Sequence, residues 1–516
     1  MGIEPMTCGY KAVDVQSLDC SKLAVIQTGE NRCNVTGFLR SIRYQNHGVF
    51  SLLQAGVARV DISPKTGVAH AGWGAQTHQV SVGNDMPLLV TALVASNEGI
   101  EIAIIDVDIL LFTPEQDKDI RKLVSAESGI PFGNIRLAYT HTHSGPITFS
   151  QWIKEGIDLA EDWWDAIPTA CVKAVTEAKA TATGARTGFG RGSCDININR
   201  RAVRSNGELF TGRNWNGFVD HDVDVVSFDD IEGHPIATIV NYAMHPTIMA
   251  HDNQWVTPDF PGTLRSVVED TVGGMCLFLQ GASGNQGPVD GFTGDLRVYR
   301  KAGSKLGAEA SRVRLNIDPL QREERLDQIL ASGADLGIYT DVPTNESDGT
   351  LAVSNISIDL PSRDVLTPEA AQTAFDEGQR RLDSVRAADA SEADVRQAVS
   401  EVTRANIQLN VALLSHRLTE NGHIKVNVQS MRIGESVLVS LPVEPFAELA
   451  DEVKKRSTAV NTIFSGFSNG HINYLPTDLA HEEGGYEVGV CVFAPGSAEL
   501  AVRASLEVID DVSSRT

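Results

Sequence analysis

The chain has 516 residues, 42% hydrophobic and 21% charged, enough for a large core and ordinary for a soluble globular protein. Its 67 acidic against 43 basic residues give a formal net charge of -24, which argues against a nucleic-acid partner and against electrostatic docking on anionic membranes. No run approaches the ~18 apolar residues of a spanning helix, so no integral membrane association is expected.

The N-terminus, "MGIEPMTCGYKAVDVQSLDC", has no basic stretch leading into an apolar one, so no signal peptide is visible. Residues 1–53 show no regular pattern and read as an N-terminal extension; three of the seven cysteines (Cys8, Cys20, Cys33) fall there. The other four (Cys171, Cys194, Cys276, Cys491) are scattered at no metal spacing. An odd, dispersed set is not a disulfide framework and points to a reducing, cytoplasmic setting.

Residues 54–516 read as one α/β domain of mixed sheets flanked by helices. "AGVARVDISP" alternates like a strand and stops at Pro64. "PLLVTALVAS" and "EIAIIDVDIL" form a strand pair joined at Asn97-Glu98-Gly99. Thr113 caps a helix from Pro114 to Glu127, and "IRLAYTH" is the next strand. "LAEDWWDAIPTACVKAVTEAKA" is helical despite Pro168, and "HPIATIVNYAMHP" is a strand. Asp259 to Val272 and Asp295 to Arg314 read as helices around the buried strand "MCLFLQG". Residues 365–415 carry long helices. "HIKVNVQSMRIGESVLVSLP" is a hairpin turning at Gly434-Glu435, and "PFAELADEVKKRS" is a helix. "YEVGVCVFAPGSAELAVRASLEVID" is a strand or loop followed by a helix.

Of the 13 histidines, several fall where apolar strands meet turns. "LAYTHTHSGPITF" places His141 and His143 two apart; on a strand, such positions share a face and could offer two imidazoles to one point. His245 follows the apolar run of "IVNYAMHPT", and Glu444 in "VSLPVEPFAEL" could complete a coordination sphere. Read alone, the His-x-His pair is as well explained by two loop histidines. Arg200, in the basic run "RRAVR", could be a surface residue, and Tyr474 and Tyr486 could pack in loops.

These segments together resemble the neutral ceramidase family, zinc-dependent amide hydrolases that split a fatty acid from a sphingoid base. "AYTHTHSGP" is similar to its Gly-Thr-His-Thr-His-Ser-Gly-Pro signature, "DININR" to its Asn-Ile-Asn-Arg segment, and "NYAMHPTIM" with "TPDFPG" to its second histidine block. "LPVEPF" resembles its Leu-Pro-Gly-Glu turn, and "SNGHINYLPT" with the downstream Tyr486 resembles its tyrosine block. The resemblance runs in order from about residue 55 to 510. It implies that Zn2+ is held by His141, His245, Glu444 and Tyr474, with His143 beside the metal as a proton-transfer group. Arg200 and Tyr486 would then contact the scissile carbonyl or its oxyanion. Asp259 would support a ligand or cap a helix.

The family's Gly-Asp-Val-Ser-Pro turn, with its proposed serine nucleophile, corresponds to "LQGASGNQGP", which has Gly287 for the serine and Asn285 for the aspartate; Ser283 nearby reads as structural. Attack by zinc-bound water is then the simplest mechanism. The chain also ends without the family's C-terminal β-sandwich, so the expected substrate is a small-molecule amide, smaller or more soluble than ceramide. Two further readings stay open: an ester or lactone hydrolase on the same site, and an inactive ceramidase-like ligand-binding protein. A two-metal phosphoesterase has only the Asp106/Asp108 pair as foothold. A homo-oligomer is compatible with the sequence.

Overall fold

The computed structural model describes residues 52–148, 152–320, 322–344, 346–388 and 390–515. Of the expected N-terminal extension, only its last two residues lie among them. The four cysteines in the described residues are buried and unbridged, and among those residues no helix is long and apolar enough to cross a membrane.

The larger sheet has eight strands in the order Met275–Gln280, Pro235–Tyr242, Asp222–Asp230, Thr183–Ser193, Gln54–Asp61, Leu89–Asn97, Ile100–Val107, Ile135–Tyr139. Gln54–Asp61 runs antiparallel to Leu89–Asn97, which turns into Ile100–Val107 with Asn97 opposite Ile100. Glu98 and Gly99 both take positive φ (49° and 84°), as a two-residue hairpin turn requires. A second sheet pairs Leu351–Pro361, His423–Ile433, Ser436–Ser440 and Asn461–Ser465 in that order. Mixed sheets flanked by helices agree with the expected fold class.

Within these two sheets three strand pairs are parallel: Ile100–Val107 with Ile135–Tyr139, Pro235–Tyr242 with Met275–Gln280, and Ser436–Ser440 with Asn461–Ser465. Parallel sheets present ligands in the crevice beyond their carboxyl ends. His141, His143, His245 and Glu444 of the site described below each follow one of these ends.

The helices form where expected. Pro114–Ser128 has a full capping box, Thr113 and Gln116 bonding each other's backbone. Ile157–Ala180 keeps Pro168 in its interior. A proline there costs roughly 3 kcal/mol, but the helix buries Trp163, Ile167, Cys171, Val175 and several alanines on one face. At about 1.5–3 kcal/mol for each large side chain, burial wins. Pro368–Ala387 and Glu392–Leu418 pack on the same core as this helix.

Two readings are corrected. "YEVGV" is a five-residue helix, Tyr486–Val490, rather than a strand or loop. His141 and His143 are not strand residues: the strand ends at Tyr139, and His141 takes φ 65°. Their side chains converge because the chain kinks there, not because of two-residue alternation. The hairpin Arg322–Leu330 with Leu336–Pro343 gave no sequence expectation; nearly all of it is exposed, so no buried face imprints a pattern.

Candidate metal centre

Beyond Tyr139, the chain turns at His141 with Nδ1 2.6 Å from the Leu110 carbonyl, which follows the neighbouring strand. A carbonyl only accepts, so Nδ1 carries the proton and Nε2 is a free lone pair. His245 repeats this arrangement after the second parallel pair, donating from Nδ1 to the Ser283 carbonyl at 2.7 Å. From the third pair comes Glu444, whose Oε2 lies 3.2 Å from His245 Nε2 and 3.6 Å from His141 Nε2.

All three side chains are buried. Burial, partly opposed by Glu444, pushes His141 down to about 3, and burial lowers His245 as well, so both imidazoles are neutral. Burial works against ionisation of Glu444, yet its carboxyl stays well below its ordinary range, with His471 donating to it. Glu444 Oε1 accepts from His471 Nε2 at 2.9 Å, whereas Oε2 is buried with no hydrogen-bond partner. Two lone pairs and an anionic oxygen therefore face one another with no proton between them. That arrangement is unfavourable unless a cation sits among them, and the nitrogen and oxygen donors suit zinc.

The flanking side chains extend this set. Tyr474 hydroxyl lies 3.5 Å from His245 Nε2, and burial pushes the phenol well up, opposed by the Arg200 guanidinium. Arg200 donates from Nη2 to that hydroxyl at 3.0 Å. His143 Nε2 is 3.3 Å from His141 Nε2, and the ligand atoms of His141, His143 and His245 lie within 4.8 Å of one another. Burial, with His141 and His245 beside it, holds His143 well below its ordinary value. Tyr486 packs its ring 5.9 Å from that of Tyr474 and is 48% exposed. Every expected site residue thus falls in one neighbourhood.

Backbone strain concentrates here. His141, Phe467 and Asn473 all take positive φ (65°, 53° and 63°), a conformation costing about 1–3 kcal/mol each for such residues. Phe467 packs its ring, tilted, against His141 at 4.7 Å between ring centroids. Gly284 must be glycine, because a Cβ there would meet the Glu444 carbonyl at 2.6 Å; the Gly-rich turn packs directly on the segment that carries the carboxylate.

Several contributors left no sequence signal: the Leu110 and Ser283 carbonyls, Phe467, and Trp73, whose Nε1 donates to the His143 carbonyl at 3.2 Å and whose ring meets Phe292 at 6.4 Å. His471, three residues before Tyr474, could have been found by its place in the same quoted block. Asp259 contacts no candidate ligand; its carboxylate accepts from Phe260 N at 2.6 Å and Met249 N at 3.0 Å, so it is a helix cap. Asn285 bonds Ala447 N and Glu448, fixing the start of the helix Ala447–Arg456. Ser283 Oγ is buried and accepts from Gln280. Asp106 and Asp108 are spent on buried Arg265 at 3.2 and 2.5 Å, which removes the foothold for a two-metal phosphoesterase. A second group, Asp230, Glu232 and His234, sits on an exposed hairpin turn.

Residues 53–292 match the sequence model described as neutral/alkaline non-lysosomal ceramidase, N-terminal. The chain is 31% identical over 147 residues to neutral ceramidase B of Dictyostelium discoideum, covering 27% of this chain and 20% of that protein. It is 28% identical over 162 residues to the neutral ceramidase of Pseudomonas aeruginosa, covering 30% and 24%. These alignments thus span about a quarter or less of the curated relatives they match. The crystal structure of the Pseudomonas aeruginosa neutral ceramidase superposes with a TM-score of 0.63 at 17% identity, covering 89% of this chain and 74% of that one. Residues 53–292 thus resemble the N-terminal part of the neutral/alkaline non-lysosomal ceramidases, and the chain shares the fold of one of them.

Proposed function

We propose that this protein is a zinc-dependent hydrolase of a carboxylic amide in an N-acyl substrate, with residues 54–516 as its catalytic unit. One observation carries the reading: Nε2 of His141, Nε2 of His245 and Oε2 of Glu444 converge unprotonated, the last orphaned in the interior. His141, His245, Glu444 and Tyr474 would hold the ion. When bound, zinc supplies Lewis acidity, polarising a carbonyl and lowering the pKa of water toward ~7.

The chain's own side chains supply the rest. His143, neutral and beside His141, takes the proton from the attacking water and returns it to the leaving nitrogen. Arg200 is a buried cation: burial works against its charge, but Tyr474 and Glu487 raise its pKa further. With the Tyr486 phenol, it faces the carbonyl oxygen as negative charge develops there. Trp73 and Phe292 form an apolar wall beside His143, where an acyl chain would lie. No side-chain nucleophile is needed, so Gly287 is compatible with turnover.

The test is metal analysis after dialysis together with turnover of N-acyl amides and matching esters. About one zinc per chain and amide hydrolysis are expected. Faster turnover of the esters alone would move the assignment to an ester hydrolase. Zinc without any turnover would favour a ligand-binding protein. A chain that binds no zinc, and in which His141→Ala changes nothing, would sink the metal reading.

A further inference from the structure

Arg200 and Arg201 are consecutive residues of the strand Asn197–Val203. Strand neighbours point to opposite faces, yet both guanidinium groups end on one carboxylate. Glu487, 3% exposed, accepts from Arg200 Nε on Oε1 and from Arg201 Nη1 on Oε2, each at 2.9 Å. The ladder is irregular at this point: Asn199 pairs with Asn214 but Arg201 with Thr211, so the partner strand holds an extra residue opposite Arg200. Such bulges sharpen the local twist and re-aim side chains.

Arg201 carries the connection further. Its Nη2 donates to the Gly484 carbonyl at 2.8 Å and to Glu483 at 3.1 Å. It therefore pins the turn that leads into Tyr486. Arg200, held through Nε, has its Nη2 left to face Tyr474. One buried carboxylate thus sets the plane of one group assigned to the carbonyl oxygen and sits next in sequence to the other.

We propose that Glu487 is a positioning residue for catalysis: shared by Arg200 and Arg201, it orients the Arg200 guanidinium toward the carbonyl oxygen. The assignment rests on the reading above, in which Arg200 and Tyr486 serve the carbonyl oxygen. Glu487 itself touches no reacting atom. Its effect must therefore pass through Arg200, and that separates it from a purely structural carboxylate.

The experiment uses the zinc-loaded full chain and compares E487Q, E487D, R200A and the double variant R200A/E487Q. E487Q should lower kcat about a hundredfold, the size of losing one oxyanion donor, with KM moved less than about threefold. E487D, which keeps the charge, should recover part of that loss. On the R200A background E487Q should cost less than about twofold, because residues acting as a unit are not additive. Should E487Q fail to fold, E487D serves in its place, and its loss should likewise vanish on R200A. A kcat for E487Q within about threefold of wild type, or a loss that multiplies fully on R200A, overturns this assignment alone. A wild type that turns over no amide or ester overturns the functional reading and this assignment with it.

Discussion

Glu444 and Tyr474 are directly opposed residues of a two-residue parallel pairing, Glu444–Pro445 beside Tyr474–Leu475. Their side chains leave the same side of this small ladder, so a carboxylate and a phenol thirty residues apart in sequence are set by backbone bonds, including Glu444 N to the Asn473 carbonyl at 2.9 Å. Removing the carboxylate charge while keeping the shape should therefore cost metal without disturbing the fold. Glu444→Gln is expected to lose most bound zinc and essentially all hydrolysis, with an unchanged circular dichroism spectrum. Full zinc content in this variant would remove Glu444 from the ligand set.

His471 hydrogen-bonds Glu444 Oε1 and stacks its ring 6.3 Å from that of His141, without offering an atom to the candidate ligand set. Partners of this kind orient a ligand and tune its basicity, and losing one costs about 10–100-fold in metal affinity. His471→Ala should weaken zinc by that amount in competition with a chelator, while added zinc restores turnover. If excess metal fails to restore activity, His471 has a direct part in the chemistry rather than a supporting one.

How far this centre was legible follows from which atoms build it. His141, His245 and Glu444 each sit where an apolar run breaks, so strand patterning points to them, whereas Tyr474 stands out only through the resemblance of its block to a family motif. Leu110 and Ser283 contribute carbonyls, which every residue owns, so their identity carries no signal. Glu487 resembles any surface glutamate until the fold brings Arg200 and Arg201 onto it. The same holds for secondary structure. Pro114–Ser128 announces itself through its cap, whereas Tyr486–Val490 is too short for helix propensity to matter and is set by the contacts around it.

Gly287 tests the water mechanism directly. An added Cβ would lie 3.1 Å from Arg200 Cβ, an atom held by the backbone and unable to swing away. The strand carrying Arg200 must therefore shift by a few tenths of an ångström. Gly287→Ala and Gly287→Ser should both lower kcat, by about three- to tenfold, since small misplacements of oriented groups are costly. The two should be equal, because the hydroxyl has no role. A serine variant much faster than the alanine variant would mean that this position still supports a side-chain nucleophile.

Away from the metal cluster, His70 gives the protein an acid-sensitive limb. The ring is fully buried, its Nδ1 lies 3.2 Å from His78 Nε2, and its Nε2 has no hydrogen-bond partner. Burial, reinforced by the charge of His78, pushes its pKa down to about 3 from an ordinary value of 6.5. The unfolded chain therefore takes up a proton below pH 6.5 that the folded chain refuses. The stabilisation is complete above that value and falls as pH drops toward 3, at about 1.4 kcal/mol per unit. Between pH 7.5 and 5 the loss from this one group is about 2 kcal/mol. His70→Gln has no such proton, so whatever it costs at pH 7.5, it should lose about 2 kcal/mol less than wild type on going to pH 5. Urea unfolding of both zinc-loaded proteins at the two pH values measures the difference. A gap between variant and wild type that stays constant with pH would show that His70 takes up its proton in the folded state as readily as in the unfolded one.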